Sequence, residues 1–331
     1  MKLYLQKVFQ HQFLTKEEAK SAMEHMASGE ANEIQMAAFV AAMMMRPMDI
    51  HELEGFREAL LELCVRVDLN QGDCIDLCGT GGDGKNTFNI STLSSFVAAG
   101  AGIPVTKHGN YGVSSVSGSS NVLEHLGITF TADPNKLQEQ LDKAGICFLH
   151  APKFHPALKN VAGVRKSLGV KTFFNILGPM VNPAFPKKQL VGVFNLEVAR
   201  NYQYIFQNAG KSFMVLHALD GYDEISGTGP VKFLGNQSEG MFNPSELIGR
   251  NLAEEELHAG DSVEDAAKIF MDVLNNSCTE AQKAVVACNA GAAIKTYYPN
   301  VSWEDAYSLS MESIESGKAI SRFEKLKELS Q

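Results

Sequence analysis

A chain of 331 residues, 45% hydrophobic and 20% charged, has ordinary globular composition, with about two domains as the expectation from length. Its formal net charge of −9 argues against nucleic-acid binding as the main task, because a phosphate backbone asks for a basic surface. Six cysteines without a C-x-x-C pair read as buried, reduced thiols, which fits a reducing compartment.

In chain order, Met1 to Gln12 lacks the long apolar stretch of a signal peptide. The longest apolar run, Met36 to Met45, is stopped by Arg46 and Pro47, too short to span a bilayer. The expectation is a cytoplasmic protein with no membrane contact. Residues 1–68 read as helices only. Thr15 with Glu18 makes a capping box, Asp49 with Glu52 resembles another, and Pro47 ends the helix between them. Leu53, Phe56, Leu60, Leu61 and Cys64 mark one helical stripe. So small a helical unit cannot bury its stripes alone.

From Cys74 the texture changes. Strand-like runs at Cys74–Leu77, Ile103–Thr106, Cys147–Leu149, Leu190–Phe194 and Phe213–Leu216 alternate with helical patterns. The helices fall at Thr92–Ala101, Asn121–Leu126, Lys136–Lys143, Ala157–Leu168 and Ala199–Asn208, and the tail from Ser262 is helical again. The predicted fold is α/β. It has an all-helical N-terminal domain over 1–68 and a larger domain over 69–331, with a mainly parallel central sheet flanked by helices.

The densest signal is Asp76-Leu-Cys-Gly-Thr-Gly-Gly-Asp-Gly84, where glycines let backbone N–H groups approach an anion. Gly79, Gly81 and Gly84 match G-x-G-x-x-G, but Lys85 to Ile90 intervene before any helix, and the next strand ends on Lys107 rather than an acid. A P-loop fails too, because Asn86 stands where Ser or Thr is needed. Asn86 to Thr92 follows, with Ser91 or Thr92 as the expected cap of a helix whose N-terminus suits an anion. A second loop, Lys107-His-Gly-Asn-Tyr-Gly-Val-Ser-Ser115 and on to Ser120, supplies a cation, an amide, hydroxyls and glycines, an inventory for a phosphorylated ligand. The adjacent Asp223 and Glu224 read either as a solvated acidic turn or as carboxylates for Mg²⁺ shared with phosphate oxygens. Arg165 follows Leu158 by seven and Val161 by four, on an apolar face with Ala162. It reads either as an internal salt bridge or a side chain snorkelling to solvent, or as a ligand contact. His155 reads as a satisfied helix-start residue, and His108 as a ligand contact or a plain loop residue.

Together these residues resemble the anthranilate phosphoribosyltransferase family. Gly79–Gly84 matches its G-T-G-G-D-G turn, Asn89–Thr92 its N-I-S-T element and Lys107–Asn110 its K-H-G-N loop. Phe174–Pro183 is similar to its F-N-x-L-G-P-x-x-N-P stretch, and Asp220–Ser226 to its D-G-x-D-E-x-S stretch. The resemblance implies transfer of the phosphoribosyl group of phosphoribosyl pyrophosphate to anthranilate. The products are N-(5-phosphoribosyl)anthranilate and pyrophosphate, in L-tryptophan biosynthesis.

The resemblance also implies residue roles. Gly79, Gly82, Asp83, Thr87, Asn89, Ile90, Ser91, Thr92, Lys107, His108, Gly109, Asn110, Ser115 and Ser119 would bind phosphoribosyl pyrophosphate. Gly79, Asn110 and Arg165 would face anthranilate, and Ser91, Asp223 and Glu224 would hold Mg²⁺. It further implies a homodimer through the N-terminal helices. No covalent nucleophile is expected, since the aromatic amine is already neutral at pH 7 and positioning carries the rate. One departure stands out: the family commonly has Arg after K-H-G-N, and here Tyr111 and Gly112 follow. The rival readings are a pyrimidine-nucleoside phosphorylase and a non-catalytic nucleic-acid-binding relative, the second at odds with the acidic charge.

Overall fold

The computed structural model describes residues 1–70, 72–112, 117–236 and 238–331. The chain forms two compact units. One contains residues 1–67 together with 151–185, the other 68–150 and 186–331. The chain thus passes between units three times, where a single division near residue 68 is the expectation from sequence.

The helical unit begins with helices at Lys2–Phe9, Lys16–Ala27, Glu33–Met44 and Ile50–Leu63. Both expected capping boxes form, at Thr15 with Glu18 and at Asp49 with Glu52. Glu52 does more than cap: fully buried, it takes Arg46 at 2.6 and 2.8 Å and the Leu14 N–H at 2.8 Å. The helices Lys16–Ala27 and Ile50–Leu63 cross closely at Gly55, where a Cβ would lie 2.2 Å from the Lys16 carbonyl oxygen. Residues 151–185 return to cover what these helices leave bare. Phe173 stacks on Phe56 with ring centroids 4.8 Å apart, and Phe174 stacks on Phe173 at 4.4 Å. Backbone joins follow: Val65 N–H to the Phe154 carbonyl at 2.7 Å and Val67 N–H to that of Pro183 at 3.0 Å. The unit therefore finds its missing cover partly within the chain.

The sheet unit holds seven strands: β1 Ile75–Gly79, β2 Val105–Gly109, β3 Ile146–His150, β4 Lys188–Gly192, β5 Ser212–Ala218, β6 Val231–Gly235 and β7 Glu239–Phe242. Their order is β3-β2-β1-β4-β5-β6-β7, with β1 to β5 parallel and β6 and β7 antiparallel. The five parallel strands are those read from sequence, with ends moved by one to three residues. The β6–β7 hairpin escapes that reading: β7 alternates half-buried and exposed positions and lacks an apolar run.

The helix Ile90–Gly100 is the keel of this unit. All its residues but Ser91 are buried, so small side chains are required around it. A Cβ at Gly100 would lie 2.2 Å from Ser313 Oγ, and Ser94 Oγ donates to the Val286 carbonyl at 3.2 Å. That carbonyl belongs to the long helix Glu280–Tyr297, whose Ala-rich sequence is buried on nearly every side. No helix among the described residues is long and apolar enough to cross a membrane.

His155, in the helical unit, is buried with Nε2 2.8 Å from the Val181 carbonyl oxygen. Burial pulls its pKa down from 6.5 to about 4, against a smaller upward pull from that carbonyl. The folded state therefore keeps the ring neutral, with Nε2–H donating, where the unfolded chain takes up a proton. The stabilisation is complete above pH 6.5 and is lost as pH falls towards 4, by up to about 3 kcal/mol at about 1.4 kcal/mol per unit. His155→Gln keeps a donor but not the titration. Melting temperatures taken between pH 6.5 and 4.5 should fall further for wild type than for the variant, and parallel curves would refute the assignment.

Candidate active site

The strand order reverses between β1 and β4, which are neighbours although β2 and β3 lie between them in sequence. In open α/β sheets, ligands bind beyond the strand carboxyl ends at such a reversal. Here β1 ends at Gly79 and β4 at Gly192, and Thr80 N–H donates to the Gly192 carbonyl at 2.9 Å. The segment after β5 runs over both ends. A Cβ at Gly192 would sit 1.5 Å from the Asp223 carbonyl oxygen, and one at Gly79 would sit 2.4 Å from Asp223 Oδ2. Gly192 admits no other residue, because the obstacle is backbone, and at Gly79 a side chain would displace the Asp223 carboxylate. A small pocket here is lined by residues that include Gly79, Ser91, Gly192, Asp223, Glu224 and Asn289.

The adjacent carboxylates are seated on backbone donors. Gly81 N–H donates to Asp223 Oδ2 at 2.6 Å, and Ser91 N–H to Glu224 Oε1 at 2.9 Å. Behind them Asn289 clamps the next residue, accepting from Ile225 N–H at 3.0 Å and donating to its carbonyl at 2.9 Å. The glycine turn is left-handed at Gly81, Gly82 and Gly84, with φ of 63°, 76° and 80°. Asp83 Oδ1 accepts the Lys85 N–H at 3.0 Å. Burial pushes the Asp223 carboxyl up, and the charge of Asp83 adds to this; Glu224 is raised well above the carboxylate range by burial and then by Asp223 and Asp83. Asp223 is thus buried and Glu224 half-buried, rather than both solvated.

Carboxylates so placed are relieved by a cation. No three His, Cys, Asp or Glu side chains among the described residues form a metal cage of their own. Two carboxylates that need phosphate oxygens to complete the shell are the donor set that suits Mg²⁺.

The helix after the turn is capped otherwise than expected. Asn89 is its N-cap without a side-chain cap bond, and Ser91 and Thr92 lie within the helix. The Glu224 carboxylate supplies the missing cap through the Ser91 N–H. Ile90 points into the core and its N–H donates to the Phe88 carbonyl at 2.6 Å, while Thr92 is buried. Thr87 forms a lone antiparallel bridge with His258. Asn89 Nδ2 donates to the Ser117 carbonyl at 3.3 Å, joining the first loop to the second, and its buried Oδ1 has no hydrogen-bond partner among the described residues.

Lys107 to Gly109, expected at the start of the second loop, instead end β2; Lys107 is buried and Nζ donates to the His108 carbonyl at 2.9 Å. His108 is buried as well. Gly109 has no room for a Cβ, which would meet Phe148 Cζ and Ser119 Oγ at 2.5 Å each. The exposed Asn110 presents its carbonyl to Ser120 N–H at 3.1 Å and to Ser119 Oγ at 3.2 Å. Asn121 Oδ1 gathers Gly112 N–H at 2.9 Å and Gly118 N–H at 3.0 Å. Tyr111, at the position of the family's arginine, sets its ring edge-on to His150 at 4.8 Å and donates to Glu124 at 3.3 Å. Ser115 lies outside the described residues.

Arg165 belongs to the helical unit, on the helix Lys159–Leu168. The buried face of that helix is Val161 and Val164; Ala162 is exposed and Leu158 half-buried, so the expected seam is turned by one residue. Arg165 flanks this face, half-buried, with its guanidinium carbon 5.3 Å from the Phe174 ring centroid. Burial lowers its pKa, and among the described residues no carboxylate or carbonyl pairs with its side chain. The internal salt bridge is therefore not formed within its unit.

Sequence reading missed Gly192 and Asn289. The signals were present: a glycine within an apolar strand run marks close backbone approach, and a lone amide in an Ala-rich helix asks for a buried partner.

Comparison with known proteins agrees with this architecture. Residues 2–64 match the model of the glycosyl transferase family helical bundle domain, and residues 71–320 that of the same family's a/b domain. The anthranilate phosphoribosyltransferase of Flavobacterium johnsoniae is 56% identical over 330 residues, covering 100% of both chains. That of Christiangramia forsetii is 55% identical over 331 residues, again covering 100% of both. Among solved structures, anthranilate phosphoribosyltransferase from Thermus thermophilus superposes with a TM-score of 0.91 at 31% identity, covering 99% of each chain. The Saccharomyces cerevisiae enzyme in complex with PRPP and Mg shares the fold with a TM-score of 0.91 at 24% identity, over 99% of this chain and 96% of that one. Matched over its whole length by relatives at 55–56% identity, the chain belongs to the anthranilate phosphoribosyltransferase family.

Proposed function

We propose that this chain catalyses transfer of the phosphoribosyl group of phosphoribosyl pyrophosphate to the amine of anthranilate, releasing pyrophosphate, in tryptophan biosynthesis. The observation that carries the reading is the Asp223–Glu224 pair, seated on the N–H groups of the glycine turn and the helix start at the strand reversal. In the reaction the C1–O bond to pyrophosphate breaks and a C1–N bond to anthranilate forms, with the amine proton passing to water. The sugar passes through an oxocarbenium-like state, and the leaving group carries growing negative charge. The turn Gly79–Gly84, left-handed at Gly81, Gly82 and Gly84, brings backbone N–H groups near that charge. The loop Lys107–Asn110 and Ser119, with Thr87 and Asn89, hold the ribose-phosphate end, and Asn110 also faces anthranilate. Because the amine is already neutral, these residues bind and orient; none acts as a covalent nucleophile.

Asp223 and Glu224, with Ser91, would hold Mg²⁺. When bound, Mg²⁺ supplies positive charge to the pyrophosphate oxygens. Asp223→Asn with Glu224→Gln retains acceptors for Gly81 and Ser91 but removes both negative charges. Followed as the decay of anthranilate fluorescence, turnover of this double variant should lose the Mg²⁺ dependence of wild type along with most of its rate. An unchanged Mg²⁺ dependence would overturn the metal assignment.

Arg165 holds the carboxylate of anthranilate. Its planar fork matches a carboxylate through two hydrogen bonds, each contributing roughly 1.5–3 kcal/mol. Arg165→Ala should weaken use of anthranilate by about ten- to a hundred-fold or more, at about 1.4 kcal/mol per decade, with little change in the Michaelis constant for phosphoribosyl pyrophosphate. A folded variant with wild-type anthranilate kinetics would make this arginine structural.

The reading includes a cytoplasmic location, since both substrates are charged, soluble small molecules, and a homodimer through the N-terminal helices. Support for the dimer comes from apolar side chains left in the open there, with Ile34 81% and Met45 78% exposed, beside Leu3, Phe9 and Phe13. Light scattering at micromolar concentration should give twice the 36.0 kDa chain mass, and a monomeric mass would refute it.

A further inference from the structure

β1 and β2 are neighbours, yet their ladder has one register pair, Ile75 with Val105. By contrast β1 pairs with β4 through five positions, and β2 with β3 through five. Just past the single pair stands Asp76, in mid-strand and fully buried. Its Oδ1 accepts the His108 N–H of β2 at 3.1 Å. Its Oδ2 accepts from Gln189 Nε2 of β4 at 3.3 Å, and Gln189 Oε1 accepts from Lys211 Nζ at 2.9 Å. The carbonyl of the same His108 is held from the other side by Lys107 Nζ at 2.9 Å. One residue at the mouth of the second loop is thus gripped at its N–H by a carboxylate and at its C=O by an ammonium, bonds stronger than those of a neutral ladder.

A continued ladder would have satisfied the same N–H with a β1 carbonyl at no cost in buried charge. A buried carboxylate kept in its place is expensive unless its position matters. We propose that Asp76 is a positioning residue: it stands in for the β1–β2 ladder and fixes the His108 backbone near the end of β2, and so sets the segment Lys107–Asn110 for phosphoribosyl pyrophosphate. Asp76 touches no substrate; it acts through His108. Gln189 of β4 steadies the carboxylate, and Lys211, just before β5, steadies Gln189. This inference rests on the proposed reaction.

The test is steady-state kinetics on the full chain with both substrates and Mg²⁺, together with melting temperatures. Asp76→Leu, similar in volume without acceptors, should raise KM for phosphoribosyl pyrophosphate about tenfold while kcat stays within about twofold, the pattern of lost ground-state positioning. Asp76→Asn, which still accepts from His108, should restore KM to within about threefold of wild type. A folded Asp76→Leu with wild-type KM overturns the inference, and so does an Asp76→Asn as impaired as Asp76→Leu. Should Asp76→Leu fail to fold, Gln189→Met removes the second grip at constant volume. It should raise the same KM by about threefold, and an unchanged value overturns the inference. Inactivity of the wild-type enzyme would instead overturn the proposed reaction and leave a different mark, no anthranilate consumed by any variant.

Discussion

The architecture of the site depends on one steric constraint: the backbone at Asp223 lies against the end of β4 with no space for a side chain between them, while its carboxylate lies against Gly79 at the end of β1. With 1.5 Å from a would-be Cβ at Gly192 to the Asp223 carbonyl oxygen, the crossing is closer than any other residue permits. Because the segment is pressed down there, Asp223 reaches the Gly81 N–H and Glu224 reaches the first turn of the helix Ile90–Gly100. Asn289 locks the following residue, so the crossing cannot lift. Scarce water there disfavours the charged forms, which is what raises both carboxyls. The N–H groups that suit a phosphate are the ones these carboxylates now use, so protein and ligand oxygens contend for the same donors.

Much of the fold was legible because its signals are local. Capping residues at Thr15 and Asp49 act within one helical turn, and the five parallel strands are apolar runs long enough to stand out. The β6–β7 hairpin was not legible: the exposed face of an edge strand dilutes its pattern, and Met241 is largely exposed. Nor was the membership of residues 151–185, since nothing in Phe173 says that Phe56 is the ring it will meet. Long-range partner choice is a property of two distant segments together.

Site residues divide in the same way. The glycine turn and the Asp223–Glu224 pair announce themselves by composition. Their seating does not, because the cap of the helix Ile90–Gly100 comes from a carboxylate 133 positions away rather than from Ser91 or Thr92. Lys107 reads from the sequence as a cation suited to phosphate, and what the sequence does not show is that its buried ammonium also donates to the neighbouring His108 carbonyl. Ile90 sits in a ligand-binding element by resemblance, yet its side chain serves the core.

The return of residues 151–185 to the helical unit has a consequence for how the chain is made. A ribosome delivers residues 1–67 first, but Phe173, Phe154 and Pro183, which close that unit, come far later. At roughly 5–20 residues per second, the early helices wait on the order of ten seconds with their apolar stripes bare. In that interval they are the part of the nascent chain most open to chaperones, and to the same helices emerging from a neighbouring ribosome on the message.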